Sequence, residues 1–369
     1  MSERSNPFNR RLINPIMLFI HPIVLWIMSK RSYQFYVSEQ QFPPEISFLP
    51  GNIESISARD AFFCAGYLTT PVTEFNSYRI WGFLIEHLES ISRTNRFMRI
   101  SEDLKRVDER IRTIFVERFA VGLTGWMLWK RYNITHIADA GYFINKKAIN
   151  PNSAYNNIGL GFIRNGSTIK PDFFCLTNLS ECVIAESKGG IGAPSVINPD
   201  LDKGKQQVSN VIPTGVSLRN VANRLVFGSY FRYENVKVNR GKDSGMIIRD
   251  PTDHNPMLEI PVSEKELILI SYLKLFNFCG LGEISKTLKN RSTVPDFPNR
   301  EIIMKTKEFS VLPLLTIEYF VIGIHADVAA AIFRLDFSSI KVILKEYNLY
   351  FSSTSERLIL PNGIYIGNI

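Results

Sequence analysis

Residues 170–190, KPDFFCLTNLSECVIAESKGG, constrain the fold more tightly than any other stretch of the chain. Two apolar runs, 173–176 and 182–185, flank a segment, 177–181, with the composition of a turn. The pattern predicts a β-hairpin with charged groups at its open end. Side chains alternate along a strand, so Glu186 and Lys188 share one face while Ser187 points to the other. Antiparallel pairing about the turn sets the entry of the first strand beside the exit of the second. Asp172 is then a neighbour of Glu186 and Lys188.

Two carboxylates about 4 Å apart repel by roughly 4 kcal/mol at an effective dielectric near 20, so such a corner needs a proton, a cation or a metal to offset it. Carboxylate oxygens suit a hard divalent ion, Mg²⁺ first and Mn²⁺ next. Pro171-Asp172, thirteen intervening residues and Glu186-Ser187-Lys188 resemble the PD-(D/E)XK signature of the restriction-endonuclease-like nucleases. The resemblance implies that Asp172, Glu186 and the main-chain carbonyl of Ser187 hold the metal. It also implies that Lys188 orients the attacking water and stabilises developing charge. Two other Pro-Asp pairs, Pro199-Asp200 and Pro295-Asp296, are followed by no ExK on a strand, and Glu301 and Lys305 are wrongly spaced for one strand face. The alternative reading of 170–190 is a surface hairpin with an ordinary Glu/Lys pair.

Around the hairpin the pattern alternates between helix and strand. Residues 101–132 predict one long helix, with Ser101 as N-cap, Glu102 and Asp103 in the first turn, and Lys130 and Arg131 in the last. Glu117 has Ile114, Ala120 and Val121 three and four residues away, which sets it on or beside the apolar stripe. The resemblance implies an additional metal-ligating acid from the helix before the sheet, and Glu117 is the candidate; a rim carboxylate paired to a surface cation is the alternative. Residues 134–144 read as a strand region, 146–157 as a polar loop carrying Lys146 and Lys147 toward DNA, and 159–163 as a further strand. The glycines of GGIGAP after Lys188 fit either a close approach to phosphate or a flexible loop. Residues 200–211 predict a short helix on which Gln207 shares a face with Lys203, Gly204, Val208 and Val211. The resemblance implies a Gln or Lys contributed to the site from this helix. Gln207 is the candidate catalytic residue, ahead of Lys203 and Gln206. Residues 224–233 read as another strand, within a basic tract holding Arg219, Arg224, Arg232, Lys237, Arg240, Lys242 and Arg249. With Tyr230, Phe231 and Tyr233 interleaved, that tract suits phosphate and sugar contacts, or is simply a solvated basic loop.

The chain has 369 residues, 45% of them hydrophobic and 21% charged, which supports a folded chain with a substantial core rather than extensive disorder. A net charge of +8 favours a polyanionic partner without separating nucleic acid from anionic lipid. Four cysteines form no CxxC pair and no metal-ligand spacing, so they read as reduced thiols of a cytoplasmic chain, Cys175 and Cys182 facing across the hairpin without a disulfide. His325-Ala326-Asp327 reads as a strand end rather than part of a triad. The apolar segment 12–28 is 17 residues long and carries Pro15, His21 and Pro22. That composition suits a buried or interface segment better than a membrane span.

The expected architecture is α/β, a restriction-endonuclease-like core with a central mixed sheet flanked by helices. Residues 1–100 are read as an accessory, largely helical region, 101–250 as the nuclease core, and 251–369 as an α+β accessory or fold-completing region closed by a hairpin at Pro361-Asn362-Gly363. The expected function is Mg²⁺- or Mn²⁺-dependent hydrolysis of DNA phosphodiesters, in prokaryotic restriction or anti-phage defence by resemblance. DNA is the expected partner, with a second copy or a partner protein. The chain carries no nucleotide-binding motif. The alternatives are a non-catalytic DNA-binding or assembly protein that keeps the fold, and a membrane-associated protein anchored through 12–28.

Overall fold

The structure is a computed structural model and describes residues 31–40, 42, 52–73, 80–82, 84, 87–148, 170–238, 243–251, 258–293, 303–306, 309–317 and 320–368. The expectations for 12–28, for 149–163, for Pro295-Asp296 and for Arg240 and Lys242 lie outside the described residues.

The chain opens with β1 (Ser32–Gln40) and β2 (Asn52–Ser57), followed by helix α1 (Ala58–Thr69). Alternation makes β1 a strand: Tyr33, Phe35 and Val37 are buried and their neighbours are not. Ser57 caps α1, its hydroxyl accepting from Asp60 N at 3.0 Å. Next come α2 (Glu109–Arg131), β3 (Ile134–Asp139) and α3 (Ala140–Ala148). The predicted hairpin follows as β4 (Phe173–Thr177) and β5 (Cys182–Ile191), then α4 (Asn198–Ser209), β6 (Val211–Thr214), β7 (Arg224–Phe231) and β8 (Gly245–Arg249).

One mixed seven-stranded sheet runs β2-β1-β8-β7-β5-β4-β3. Strands β3, β4 and β5 form an antiparallel meander, β5 pairs with β7 in parallel, and β1 joins β8 in parallel. The parallel β5–β7 pair needs a crossover, and α4 supplies it. Helix α2 covers one face: a Cβ on Gly189 would lie 2.7 Å from Val116 O, so the glycine permits the helix to approach the sheet. Helix α4 covers the opposite face, where a Cβ on Gly204 would meet Val226 Cγ1 at 2.5 Å and Glu186 Cγ at 3.3 Å. Alternate residues of β5 therefore face different helices.

The remaining chain forms β9 (Leu258–Pro261), α5 (Glu264–Phe278), α6 (Gly282–Lys289) and a six-stranded antiparallel sheet. Ser263 and Glu266 close a capping box at the start of α5. The second sheet ends in the predicted hairpin, Arg357–Ile359 with Ile364–Asn368, turned at Gly363 with φ 81°. His325 ends a strand and caps the next helix, its Nδ1 accepting from Asp327 N at 3.2 Å, as expected of a strand end. The four cysteines are buried and free; Cys175 is opposite Val183 and Cys182 opposite Leu176, so the two do not face each other across the hairpin as expected. Among the described residues no helix is long and apolar enough to cross a membrane.

Three expectations about elements are corrected. Residues 101–132 are not one helix: a 3₁₀ turn at Glu102–Arg106 ends at an extended Val107. Helix α2 then starts afresh with Asp108 as its cap, accepting from Arg110 N at 2.8 Å. Strand β3 stops at Asp139, and residues 140–148, Lys146 and Lys147 of the expected loop included, form α3. Ala140 N still donates to Asp172 O at 2.9 Å, but the Asp172 N–H that would return the bond goes to Glu186 Oε2 and Pro171 has no N–H, so the ladder ends. The boundaries at residues 100 and 250 do not divide the core. Strands β1 and β2 complete the main sheet, and α5 packs on β3 and α1, with Tyr67 donating to Ser271 O at 3.0 Å. Apolar residues from all three stretches share one buried cluster.

Candidate active site

The β4–β5 register, Phe173 opposite Ala185, sets Asp172 across from Glu186. Two reciprocal hydrogen bonds lock the corner. Asp172 N–H donates to Glu186 Oε2 at 2.8 Å, and Ser187 N–H donates to Asp172 Oδ2 at 2.8 Å. Lys188 Nζ lies 2.5 Å from Glu186 Oε1. Ser187 points the other way, its hydroxyl 2.9 Å from that of Thr124 on α2. The alternation expected from the sequence thus places Asp172, Glu186 and Lys188 together and anchors Ser187 to the opposite layer.

These residues lie in a cleft of about 1020 Å³ bounded by α2, β3 and α4. Glu186 is only 1% exposed, whereas Asp172 is half-buried and opens on the cleft. Burial pushes the Asp172 carboxyl up to about 6, against the opposing pull of the Ser187 N–H and the Lys188 ammonium. Burial and the Asp172 charge push Glu186 well above the usual carboxylate range, with Lys188 again opposing. Two carboxylates that favour protons share one ammonium, so the corner has affinity for further positive charge.

Helix α4 brings Gln207 to the cleft, buried, with Nε2 donating to Lys170 O at 2.7 Å. This bond fixes the backbone that leads into Pro171-Asp172. Lys203 lies on the cleft wall with Asp200 3.4 Å from its Nζ, while Gln206 is exposed. Glu117 also lines the cleft from α2, but it is an exposed residue rather than part of the buried stripe. Its expected neighbour Ile114 is 44% exposed, because Val116 and Ala120 turn toward Gly189 instead.

Among the described residues of the basic tract, Arg224 and Arg249 are taken up by the fold. Arg224 Nε donates to Val208 O at 3.0 Å, and Arg249 bonds Asp202 at 2.9 Å and Asn198 at 2.8 Å. Tyr230 and Phe231 are buried in β7. These aromatics and guanidinium groups are committed to packing and to protein oxygens, whereas Lys237 is exposed. GGIGAP likewise begins within β5, where Gly189 serves the helix contact.

Two residues of this neighbourhood escaped the sequence reading. Asp139, the last residue of β3, lines the cleft and pairs through Oδ1 with Lys274 Nζ. Lys274 is fully buried in α5, donates to Leu68 O at 2.6 Å and lies 5.5 Å from the Phe173 ring centroid. One signal was present: a single cation inside the apolar run 267–278 must find a partner on burial.

Among the described residues no three His, Cys, Asp or Glu side chains are grouped to hold a metal ion. Glu117 is therefore not brought into a common cluster with Asp172 and Glu186. The latter two remain a pair of hard oxygen donors with raised proton affinity, and that donor chemistry fits a hard divalent cation. Comparison with family models, with curated proteins and with solved structures finds no match.

Proposed function

We propose that the protein is a metal-dependent phosphodiesterase that hydrolyses DNA, with Asp172, Glu186 and Lys188 as its catalytic centre. The observation that supports this most is the hydrogen-bonded corner itself: two carboxylates and one ammonium, set by strand register at the base of a cleft. A surface hairpin with an incidental ion pair does not account for a Glu186 that is 1% exposed beside a second acid. Burying such a cluster costs several kcal/mol, which a purely structural hairpin has no need to meet.

Asp172 and Glu186 would hold the ion, joined by the Ser187 carbonyl as the nuclease signature implies. When bound, a divalent ion supplies Lewis-acid polarisation of the phosphoryl group and makes water more acidic. The chain supplies the rest. The Lys188 ammonium, which lines the cleft beside Glu186, would stabilise negative charge developing on phosphoryl oxygens. The Ser187–Thr124 hydroxyl contact fixes β5 against α2, and Gln207 fixes the Lys170 carbonyl, so neither carboxylate needs to reorganise during reaction. Gln207 thus acts by positioning rather than by proton transfer. The +8 net charge favours a nucleic acid over a neutral ester. A role in prokaryotic restriction or anti-phage defence remains part of the proposal through the resemblance alone.

Cleavage of supercoiled plasmid, linear duplex and single-stranded DNA, each with Mg²⁺, Mn²⁺ or EDTA, tests this reading and sorts the substrate. Asp172→Ala and Lys188→Ala serve as controls, with folding verified by circular dichroism. Ion-dependent cutting lost in both folded variants is the expected result. Cutting that survives both substitutions sinks the assignment, and a wild-type chain that binds DNA without cutting it supports the non-catalytic alternative.

A further inference from the structure

The geometry points to Asp139 as a further residue of the metal-binding centre, pinned by the buried Lys274 and holding the ion through its water shell. This inference rests on the metal-dependent reading of the same cleft. Asp139 is opposite Phe173 in the β3–β4 register, and the next residue, Ala140, donates from its N–H to Asp172 O at 2.9 Å. The backbones that carry Asp139 and Asp172 are therefore clasped directly.

The Asp139 side chain faces two environments. Its Oδ1 is held by Lys274, whose side chain is 0% exposed, yet the Asp139 side chain keeps 29% exposure on the cleft. Lys274 has no access to substrate. What it does is hold one carboxylate oxygen and balance its charge, so that a third acid lines the cleft of Asp172 and Glu186, from the Phe173 side of the sheet, without adding to the net negative charge there. Three elements meet at this ammonium: Leu68 O ends α1, Asp139 ends β3, and Lys274 comes from α5. The position of Asp139 is thereby fixed from outside the nuclease signature.

Asp139 is not grouped with the other two acids closely enough for direct ligation. Mg²⁺ binds at about 2.1 Å and keeps several of its waters, each of which donates onward over about 2.7 Å. A carboxylate that lines the same cleft, as Asp139 does, would then act on the ion through those waters rather than directly. Such partners orient inner ligands and commonly change metal affinity by roughly 10–100-fold when removed.

The test is Mn²⁺ binding by the full chain, measured by calorimetry and by water-proton relaxation, without reference to turnover. Asp139→Asn is expected to bind roughly 10-fold more weakly than wild type, and Asp139→Glu to recover part of that loss. Because Asp139→Asn leaves the Lys274 ammonium short of a counter-charge, the double variant Asp139→Asn/Lys274→Met is measured as well; weakened Mn²⁺ binding in this folded, charge-balanced protein supports the proposal. Wild-type affinity in both Asn variants, alongside lost affinity in Asp172→Asn, overturns the role of Asp139 and leaves the metal centre standing. Wild-type affinity in Asp172→Asn too overturns the centre, and the role of Asp139 falls with it.

Discussion

Asp172 keeps its proton up to about pH 6 in the folded, metal-free chain, well above the ordinary range near 3.9. Between those two values the folded state holds one proton more at this residue than the unfolded state. Its contribution is therefore most favourable below the lower value, and stability is lost as pH rises through 6. The penalty at neutral pH is at most ~3 kcal/mol, since solvent in the cleft screens part of it. Asp172→Asn removes the charge and keeps an oxygen for the Ser187 N–H. In EDTA this variant should melt above wild type at pH 7.5 by a few degrees, with the gap narrowing as the pH falls from 6 toward the ordinary carboxylate value; a gap independent of pH would show that Asp172 carries no such burden. Addition of Mn²⁺ at pH 7.5 should raise the wild-type melting temperature and leave the variant unmoved, reversing their order. Asp172, Glu186 and Lys188 were legible in the sequence because their relation is local, a two-residue alternation on one strand and a short hairpin. Asp139 and Lys274 were not, because only the folded chain brings together residues 135 positions apart.

At the level of elements, the site depends on how closely α4 and α2 approach the two faces of β5. Gly204 on α4 sits against Val226 and Glu186, where a Cβ has 2.5 Å to its nearest neighbour. Gly204→Ala should force the helix away from the sheet, costing about 1–3 kcal/mol in chemical denaturation and moving Gln207 off the Lys170 carbonyl. Cleavage should fall with it, whereas the exposed control Gln206→Ala should change neither. On the other face, Thr124→Val removes the hydroxyl that meets Ser187 inside the core, at an expected cost of about 1–3 kcal/mol. Helices α2 and α4 and strands β4, β5 and β7 could be anticipated from periodicity and caps. The break at Val107 was hidden because the Ser101 and Asp108 segments both carry good start signals, and only the backbone shows two separate starts. The strand-to-helix change after Asp139 left a signal in the i, i+3, i+4 spacing of Ala140, Phe143 and Ile144, which are buried along α3, but a short apolar run directly after a strand reads equally as its continuation.

Across the whole molecule, the main sheet joins the opening strands of the described chain to strands from residues 134–249, and the C-terminal stretch packs back on α1. Strand β1 pairs with β8, and Arg249 Nε donates to Gln40 Oε1 at 3.1 Å, 209 residues apart in sequence. Arg59 Nη2 reaches Thr354 O at 3.0 Å, and Asp60 meets the Ser353 hydroxyl at 2.5 Å. Composition and punctuation suggested separable outer regions because such pairings leave no mark on local sequence. A chain ending at residue 250 would lose Lys274 and uncover apolar surface on α1 and β3. It should be insoluble or melt without cooperativity, and a soluble, cooperatively folded fragment would contradict this unity of the core. Plasmid nicking by the full chain in Mg²⁺, compared between wild type and Asp172→Asn of matched fold, tests the proposed function most directly. Loss of at least about 100-fold in the variant, with equal loss of wild-type nicking in EDTA, is the result predicted for an ion held at Asp172 and Glu186. Equal nicking by both proteins, or nicking that persists in EDTA, contradicts it.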